Sequence, residues 1–321
     1  MTRNWNDLPN ELKWMIVDRM DIITRFRLKM CSKSDKRLVE TVPFYCDEVL
    51  AMSRIFGKDN RHAFSEFCIS NVRVCCDEDE KKLSVIIEDK ERFIKLSSVE
   101  EGHEMLKCMF RAFMLPQNVR IGQFYTSMSL NYLFPSSDFK LHAKFVGLNI
   151  ENREENEKWL NALAKQPEEL EFWDGCNGIG AHPVVKNVNS LKFYTNTDMN
   201  DEQMMSLKAR VMVFGDSQIT EDGINQLAKK MFDEDYPIGS EMTFNKNNEN
   251  NENENNWDIV TEGFDVELID YEVPERPGAP TNNIKVRVEM SAEKYLIIQY
   301  TYKAYRLKVE KREDLIFNKS C

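Results

Sequence analysis

Apolar residues recur every three or four positions along the first 45 residues, which is the spacing of amphipathic helices. The opening helix carries them at Leu12, Met15, Ile16 and Met20. Two more short helical patterns follow before Pro43, a residue that cannot continue a helix. Three short helices in about 40 residues form a core too small to be stable alone. This segment is therefore predicted to dock on a larger structure.

Local signals predict where these three helices begin. Asp7 is the predicted cap of the first helix, with Pro9 in its first turn. Asp21 is the predicted cap of the second helix, and the third is expected to begin around Ser32–Ser34.

From about residue 60, strand-like runs alternate with helical ones at a nearly constant interval. Residues 191–194 (LKFY) align with residues 211–214 (VMVF) at an offset of 20, and Leu170 precedes Leu191 by 21 residues. Each interval holds a strand, a turn, an Asn or Thr cap and an amphipathic helix. A strand–helix period of about 20–25 residues is typical of leucine-rich repeats, whose parallel strands line one concave face. Phe, Met or Val often replaces Leu, so the pattern predicts a degenerate, leucine-rich-repeat-like solenoid.

The chain is thus predicted to be an α/β protein with two domains. The helical segment occupies residues 1–46, and the repeat-like domain occupies residues 60–321. Residues 245–256 contain eight Asn and three Glu, with no apolar residue to bury, and are expected to form a mobile loop. Apolar runs near residues 286–302 are expected to close the domain as a β-hairpin.

Charge and hydropathy lower the expectation of several partner classes. Lys and Arg number 43 against 54 Asp and Glu, giving a net charge of −11. A nucleic-acid partner would favour a basic surface, so none is expected. No apolar run approaches the ~20 residues that cross a bilayer, and no membrane partner is expected. Because the opening residues lack a secretory signal pattern, cytoplasmic and/or nuclear localisation is expected.

The sequence offers no pattern of catalytic or metal-binding chemistry. The eight cysteines form no C-x-x-C pair and have no metal-site spacing from the four histidines. They are expected to be reduced thiols that act as small apolar residues. The glycines at 175, 178 and 180 follow a predicted strand but lack the order of a dinucleotide-binding loop. A non-catalytic protein without metal or cofactor is therefore expected.

One stretch resembles a known family. The pattern Trp5-x-x-Leu8-Pro9-x-Glu11-Leu12-x-x-x-Ile16, Met20-Asp21 and then Leu28-x-x-Cys31-Ser32-Lys33 is similar to the F-box. The whole chain most resembles nematode F-box proteins with a C-terminal F-box-associated domain, a likeness carried mainly by residues 185–270. One departure is that Asp35-Lys36-Arg37 stands where many F-boxes have Trp.

The resemblance implies a three-helix module that binds a Skp-type linker protein and, through it, a cullin. Leu8 and Pro9 would present a preformed apolar corner to that linker. Four further residues could be divided between the linker groove and the module's own core, and all of them could be internal. They are Leu12, Ile16, Leu28 and Met30. Cys31 is also an implied linker contact.

The repeat-like domain would then bind an unknown protein target. The candidate contact residues are those predicted to point outward from the strands while their neighbours point inward. They are Glu171, Lys192, Tyr194 and Met212.

Two functions are consistent with these patterns. In the first, the chain is the substrate-recognition adaptor of a Skp–cullin–F-box (SCF) ubiquitin ligase and acts by bringing a target close to the conjugating enzyme. In the second, the chain is a stand-alone leucine-rich-repeat-like interaction scaffold, and the first 45 residues only cap the solenoid.

Overall fold

The structure is a computed structural model that describes residues 5–56, 62–115, 118–135, 139–245, 257–269, 284–301 and 304–312. The chain divides into two compact units. Unit 1 comprises Met1–Ile150 and Glu154–Pro167, and unit 2 comprises Glu151–Arg153 and Glu168–Cys321.

Unit 1 begins with a 3-10 turn at Trp5–Asp7, followed by α1 (Asn10–Asp18), α2 (Ile22–Lys29) and α3 (Lys33–Thr41). Two predicted caps are confirmed. Asp21 accepts a hydrogen bond from the Thr24 amide, and Ser32 accepts one from the Asp35 amide. The predicted cap Asp7 is wrong, because Pro9 is itself the N-cap residue of α1.

The rest of unit 1 is a sheet with helices. Its remaining elements, in chain order, are β1 (Phe44–Phe56), β2 (His62–Ile69), β3 (Val72–Asp77), β4 (Lys82–Ile87), β5 (Lys90–Lys95), α4 (Val99–Met114), β6 (Val119–Thr126), α5 (Leu130–Leu133), β7 (Ala143–Asn149) and α6 (Arg153–Asn161). The strands lie in the order β7-β6-β1-β2-β3-β4-β5. β1 is antiparallel to β2 and parallel to β6, and β6 is parallel to β7. The sequence has apolar runs at residues 119–121 and 144–148, which predict two strands, and β6 and β7 contain these runs.

The core of unit 1 lies between this sheet and α4. The α4 helix begins at the Ser98 cap and buries Leu106 and Phe110. Phe110 packs edge-on against Phe67 of β2, with ring centroids 5.4 Å apart. Burial of aromatic side chains of this size is a large part of the stability of such a layer.

The three opening helices pack on this sheet and on α4. Asn118 lies just before β6, and its side-chain amide donates to the backbone carbonyls of Glu40 (2.6 Å) and Val42 (2.7 Å) at the end of α3. Phe26 of α2 contacts Phe113 of α4 at 5.6 Å between ring centroids. The small helical bundle is therefore supported by the larger layer, as its size required.

Unit 2 joins parallel strands to an antiparallel sheet. Its elements, in chain order, are β8 (Glu169–Asp174), α7 (Pro183–Asn187), β9 (Ser190–Phe193), α8 (Asp201–Met205), β10 (Val211–Phe214), α9 (Glu221–Asp233), β11 (Glu241–Asn245), α10 (Trp257–Thr261), β12 (Glu267–Leu268), β13 (Ile284–Ser291), β14 (Lys294–Thr301) and β15 (Ala304–Lys311). β8, β9, β10 and β11 are parallel neighbours. β11 then pairs antiparallel with β15, which is followed by β14, β13 and β12.

A row of four stacked phenylalanines marks the interior of the parallel strands. Phe172, Phe193, Phe214 and Phe244 occupy matching register positions. Their ring centroids are 5.2, 5.9 and 5.5 Å apart, in chain order. Each strand thus contributes the same inward position to one continuous core, which is how repeated units stabilise one another.

The register corrects one expectation from the sequence. Leu170 pairs with Leu191, as the 21-residue interval predicts. Leu191, however, pairs with Met212 and not with Val211, so the next interval is also 21 residues and the predicted offset of 20 is wrong. Because side chains alternate between the two faces of a strand, a one-residue slip inverts every inward and outward assignment on β10.

The expected hairpin is formed by β13 and β14. β12 pairs antiparallel with the outer side of β13, and β15 pairs antiparallel with β14. Of the predicted mobile loop, residues 246–256 lie outside the described residues. The predicted boundary between residues 46 and 60 remains a prediction. A fragment that starts at residue 60 would lack β1, which pairs with both β2 and β6.

Candidate partner-binding surface

An apolar stripe lies on the exposed side of α1. Leu12 is 44% exposed and Ile16 is 40% exposed, and Met15 beside them is exposed as well. These three residues, called here the α1 stripe, are spaced by three and four positions and so share one helix face. The opposite face of α1 is anchored by Val17, which is fully buried. The helix thus divides its apolar residues between a core and a surface.

Leu8 and Pro9 lie at the start of this stripe. Pro9 is exposed and Leu8 is half-buried. The Leu8 amide donates to the Trp5 carbonyl at 3.2 Å, and the Lys13 amide donates to the Pro9 carbonyl at 3.1 Å. The corner is therefore fixed by backbone hydrogen bonds, and proline fixes φ at that point. The corner is partly accessible to solvent, and its contact with a linker remains a prediction.

The other two predicted linker contacts lie in different environments. Leu28 is half-buried and packs against a small core formed by Val17, Val39 and Val42. Its main contacts are therefore internal to the helical bundle. Cys31 is exposed, and its thiol donates to the Arg27 carbonyl at 3.3 Å.

Two methionines extend the exposed apolar surface. Met15 belongs to the α1 stripe, and Met30, just after α2, is 73% exposed. Methionine is flexible and polarizable, and it adapts to irregular partner surfaces. The sequence signal for Met15 was its position three residues after Leu12, but periodicity alone could not tell a core position from a surface one.

A polar link ties the start of the chain to α3. The Trp5 indole N–H donates to one carboxylate oxygen of Asp35 at 2.8 Å, and the Ser32 hydroxyl donates to the other at 2.6 Å. The hydrogen bonds from Ser32 and then Trp5 hold the pKa of Asp35 below its ordinary value. Asp35 stands in the segment that departs from the F-box pattern, and here it secures the third helix.

A buried arginine joins the ends of the first and third helices. Arg25 donates to the carbonyls of Val42 (2.9 Å), Asp18 (3.1 Å) and Met20 (3.2 Å). Its guanidinium lies 5.1 Å from the centre of the Phe44 ring. Burial lowers the pKa of Arg25. This residue positions α1 and α3 relative to β1, and nothing in the local sequence pattern identified it.

The four target-binding candidates on unit 2 do not form one exposed set. Met212 is 1% exposed, so its predicted outward position is wrong. Met212 points inward because it, and not Val211, pairs with the inward-facing Leu191.

Glu171 pairs in register with Lys192 on the face opposite Phe172, as predicted, but its side chain is buried there and not exposed. Lys192 and Tyr194 are brought together with Glu171. The Lys192 ammonium lies 2.9 Å and the Tyr194 hydroxyl 3.0 Å from the same Glu171 oxygen.

These polar contacts leave one aromatic pair exposed. Tyr194 is exposed and packs against exposed Trp173, with ring centroids 4.4 Å apart. Burial opposes the charged form of Lys192, but hydrogen bonds to Glu169 and Glu171 outweigh it and raise the pKa. Burial and then the bond to Glu171 raise the pKa of Tyr194. Trp173 was missed because a strand tryptophan is more often part of the core.

The described residues hold no group of three His, Cys, Asp or Glu side chains arranged to bind a metal ion. The seven cysteines in the described ranges are free thiols. Across the same ranges, none of the helices is long and apolar enough to span a bilayer.

Comparison with known families identifies the opening helices. Residues 5–47 match the family model of the F-box domain, which supports an F-box protein. In general, F-box domains bind Skp-type proteins within cullin complexes, and F-box proteins are non-catalytic adaptors of ubiquitin ligases. No curated protein and no solved structure matches the chain at a significant level.

Proposed function

We propose that this protein is the substrate-recognition adaptor of an SCF-type ubiquitin ligase. The F-box would dock on a Skp-type linker, and through it on a cullin, while the rest of the chain binds a protein target. The observation that supports this most is the α1 stripe. A bundle that has its own buried core nevertheless leaves several apolar side chains of one face in solvent.

We propose that Leu8, Pro9, Leu12 and Ile16 contact the linker, with Met15 and Met30 added to this set. Exposed apolar side chains that bind a partner gain by leaving water, and a rigid corner loses little freedom on binding. Leu28 would act indirectly, through its packing under α1, and Cys31 would lie at the margin.

We propose further that the region after the F-box is a target-binding domain of the nematode F-box-associated type with repeat-like strands. The aligned phenylalanines of β8–β11 support the repeat-like part of this proposal. Tyr194 and Trp173 are the exposed aromatic pair on these strands, and aromatic residues are favoured in protein interfaces. We expect the protein to act in the cytoplasm and/or the nucleus.

The stand-alone scaffold is a second candidate. The contacts of Asn118, Arg25 and Phe26 hold the opening helices on the sheet and on α4 of unit 1, as a capping role requires. Capping alone does not account for the apolar residues of α1 that stay exposed to solvent.

Affinity capture distinguishes the two functions. The full chain, expressed in cells with proteasomal degradation blocked, should retain a Skp-type linker and a cullin. Leu8→Ala combined with Pro9→Ala should lose most of both proteins, because the corner would be removed. Lys36→Glu combined with Arg37→Glu changes two exposed residues of α3 and serves as the control. The adaptor role would be contradicted if the Leu8/Pro9 variant retained as much linker and cullin as the unmodified chain. It would also be contradicted if the unmodified chain retained neither protein.

A further inference from the structure

The last strand of unit 1's sheet has an open edge. β5 pairs with β4, and it is the terminal strand in the described sheet order. All six of its residues are exposed. An edge strand of this kind carries a row of unpaired backbone N–H and C=O groups and can pair with another extended chain.

The turn before β5 determines which backbone groups face outward. Glu88 and Asp89 have φ of 50° and 64°, which defines a two-residue type I′ hairpin turn. The flanking residues, Ile87 and Lys90, then form a hydrogen-bonded pair, and such pairs alternate along the ladder. The Leu96 amide donates to the Lys81 carbonyl at 2.8 Å, which agrees with this alternation.

The N–H and C=O groups of Glu91, Phe93 and Lys95 therefore point away from β4 and toward solvent. The opposite set, on Lys90, Arg92 and Ile94, is used in the ladder with β4. The free edge thus offers three donor–acceptor positions to an incoming strand.

The side chains of β5 give this edge a positive charge. Within the described residues, Lys90, Arg92 and Lys95 form no ion pair. The one acid of the strand, Glu91, is compensated from β4, where Lys82 lies at 3.2 Å and Ser84 donates at 2.7 Å. The edge is therefore cationic in a chain whose net charge is −11.

Apolar contact area accompanies this charge. Phe93 is 64% exposed on one face of the strand, and Ile94 is exposed on the other. The two residues alternate in direction, so an added strand would find one apolar neighbour on each side of the sheet.

We infer that β5 binds an acidic, extended segment of a partner protein by β-strand addition. The backbone edge supplies the pairing, the three unpaired cations select for acidic side chains, and Phe93 and Ile94 supply apolar contacts. A second copy of this chain is disfavoured, because two β5 strands would bring their Lys and Arg residues together. This inference rests on the proposed function only in identifying the partner as the target.

Fluorescence anisotropy with the full chain and a labelled synthetic peptide tests this inference. The probe is an extended peptide of alternating Glu and Val, about seven residues long, which is the length of an ordinary strand. The controls replace every Glu by Lys or carry N-methyl groups at alternate backbone amides. The acidic peptide should bind, the basic one should not, and N-methylation should weaken binding at least ~10-fold because it removes ladder donors. Equal binding of the acidic and N-methylated peptides would overturn strand addition.

Two substitutions of Glu91 separate backbone pairing from simple charge attraction. Glu91→Gln removes a negative charge and should strengthen binding of the acidic peptide. Glu91→Pro removes the same charge together with an outward N–H, and it should weaken binding. Proline is tolerated on an edge strand, and the unfolding temperature confirms that the variant is folded. Stronger binding by Glu91→Pro would contradict the inference.

Charge reversal supplies the remaining test. Lys90→Glu with Arg92→Glu should abolish peptide binding, and Lys36→Glu with Arg37→Glu should leave it unchanged. Capture of the Skp-type linker should be the same for the Lys90/Arg92 variant as for the unmodified chain. Loss of linker capture in every variant would count against the proposed function and not against the β5 site. Concentration-dependent dimers that disappear in the Lys90/Arg92 variant would show instead that a second copy occupies the edge.

Discussion

The F-box helices and the parallel strands of unit 2 place their apolar residues in different ways. On β8–β11 the large apolar side chains stack inward in one row, from Phe172 to Phe244. On α1 one apolar residue, Val17, is buried, while the α1 stripe faces solvent. The strands therefore use their apolar pattern mainly for stability. The helices leave a surplus of apolar residues in solvent, which the proposed linker would bury.

The largest expected effect concerns the inward row of unit 2. Phe193→Ala should lower the free energy of unfolding by about 3–5 kcal/mol, because it leaves a cavity between two stacked rings. Tyr194→Ala, one position further along, should cost only about 1–2 kcal/mol, because that side chain is exposed and loses mainly its hydrogen bond to Glu171 and its contact with Trp173. Chemical unfolding followed by circular dichroism measures both values. Similar losses in the two variants would contradict the inward and outward assignment.

A smaller effect is expected at Asp35, whose carboxylate accepts hydrogen bonds from Trp5 and Ser32 and so ties the start of the chain to α3. Asp35→Ala removes the acceptor of Trp5 and Ser32 and should cost about 1–2 kcal/mol. Asp47→Ala, which removes an exposed carboxylate of the same unit, should be nearly neutral.

This link should also respond to pH. Since the pKa of Asp35 is lowered in the folded state, its contribution is fully present above the unfolded value of about 3.9. That contribution should be lost as the pH falls from about 4 toward the folded pKa. The stability difference between the unmodified chain and Asp35→Ala should therefore shrink from pH 7 to pH 3. A constant or growing difference would show that the carboxylate does not make these contacts.

Local signals predicted part of the fold from the sequence. Asp21 and Ser32 were predicted as caps because each side chain accepts a hydrogen bond from an amide only three residues away. The strands β6 and β7 were found because their apolar runs are distinct. The inward position of Met212 was not predicted. Leu191 can be aligned with Val211 or with Met212, and these two alignments place Met212 on opposite faces of the strand.

Long-range contacts could not be predicted in the same way. The Asn118 side chain donates hydrogen bonds to carbonyls more than 70 residues earlier in the chain. Arg25 donates hydrogen bonds to carbonyls at the ends of two other helices. Polar residues of these types are common, and only the fold shows which acceptors they reach. The free edge of β5 likewise depends on the sheet order and not on its own sequence.

For the proposed linker surface, the family pattern supplied Leu8, Pro9, Leu12 and Ile16. The structure leaves these residues at least partly accessible. Leu28 belongs to the same pattern but packs inside. The family pattern marks both kinds of position, and the packing of the three helices decides which of them is buried.

The most direct test of the central claim is the affinity of the purified full chain for a purified Skp-type linker, measured by isothermal titration calorimetry. Leu12→Asp with Ile16→Asp places two charges in the α1 stripe and should weaken binding at least ~100-fold, or about 2.7 kcal/mol. The unfolding free energy should change by no more than about 1 kcal/mol, because both residues are exposed. Unchanged affinity in this variant, with the fold intact, would contradict the assignment of the α1 stripe as the linker-binding surface.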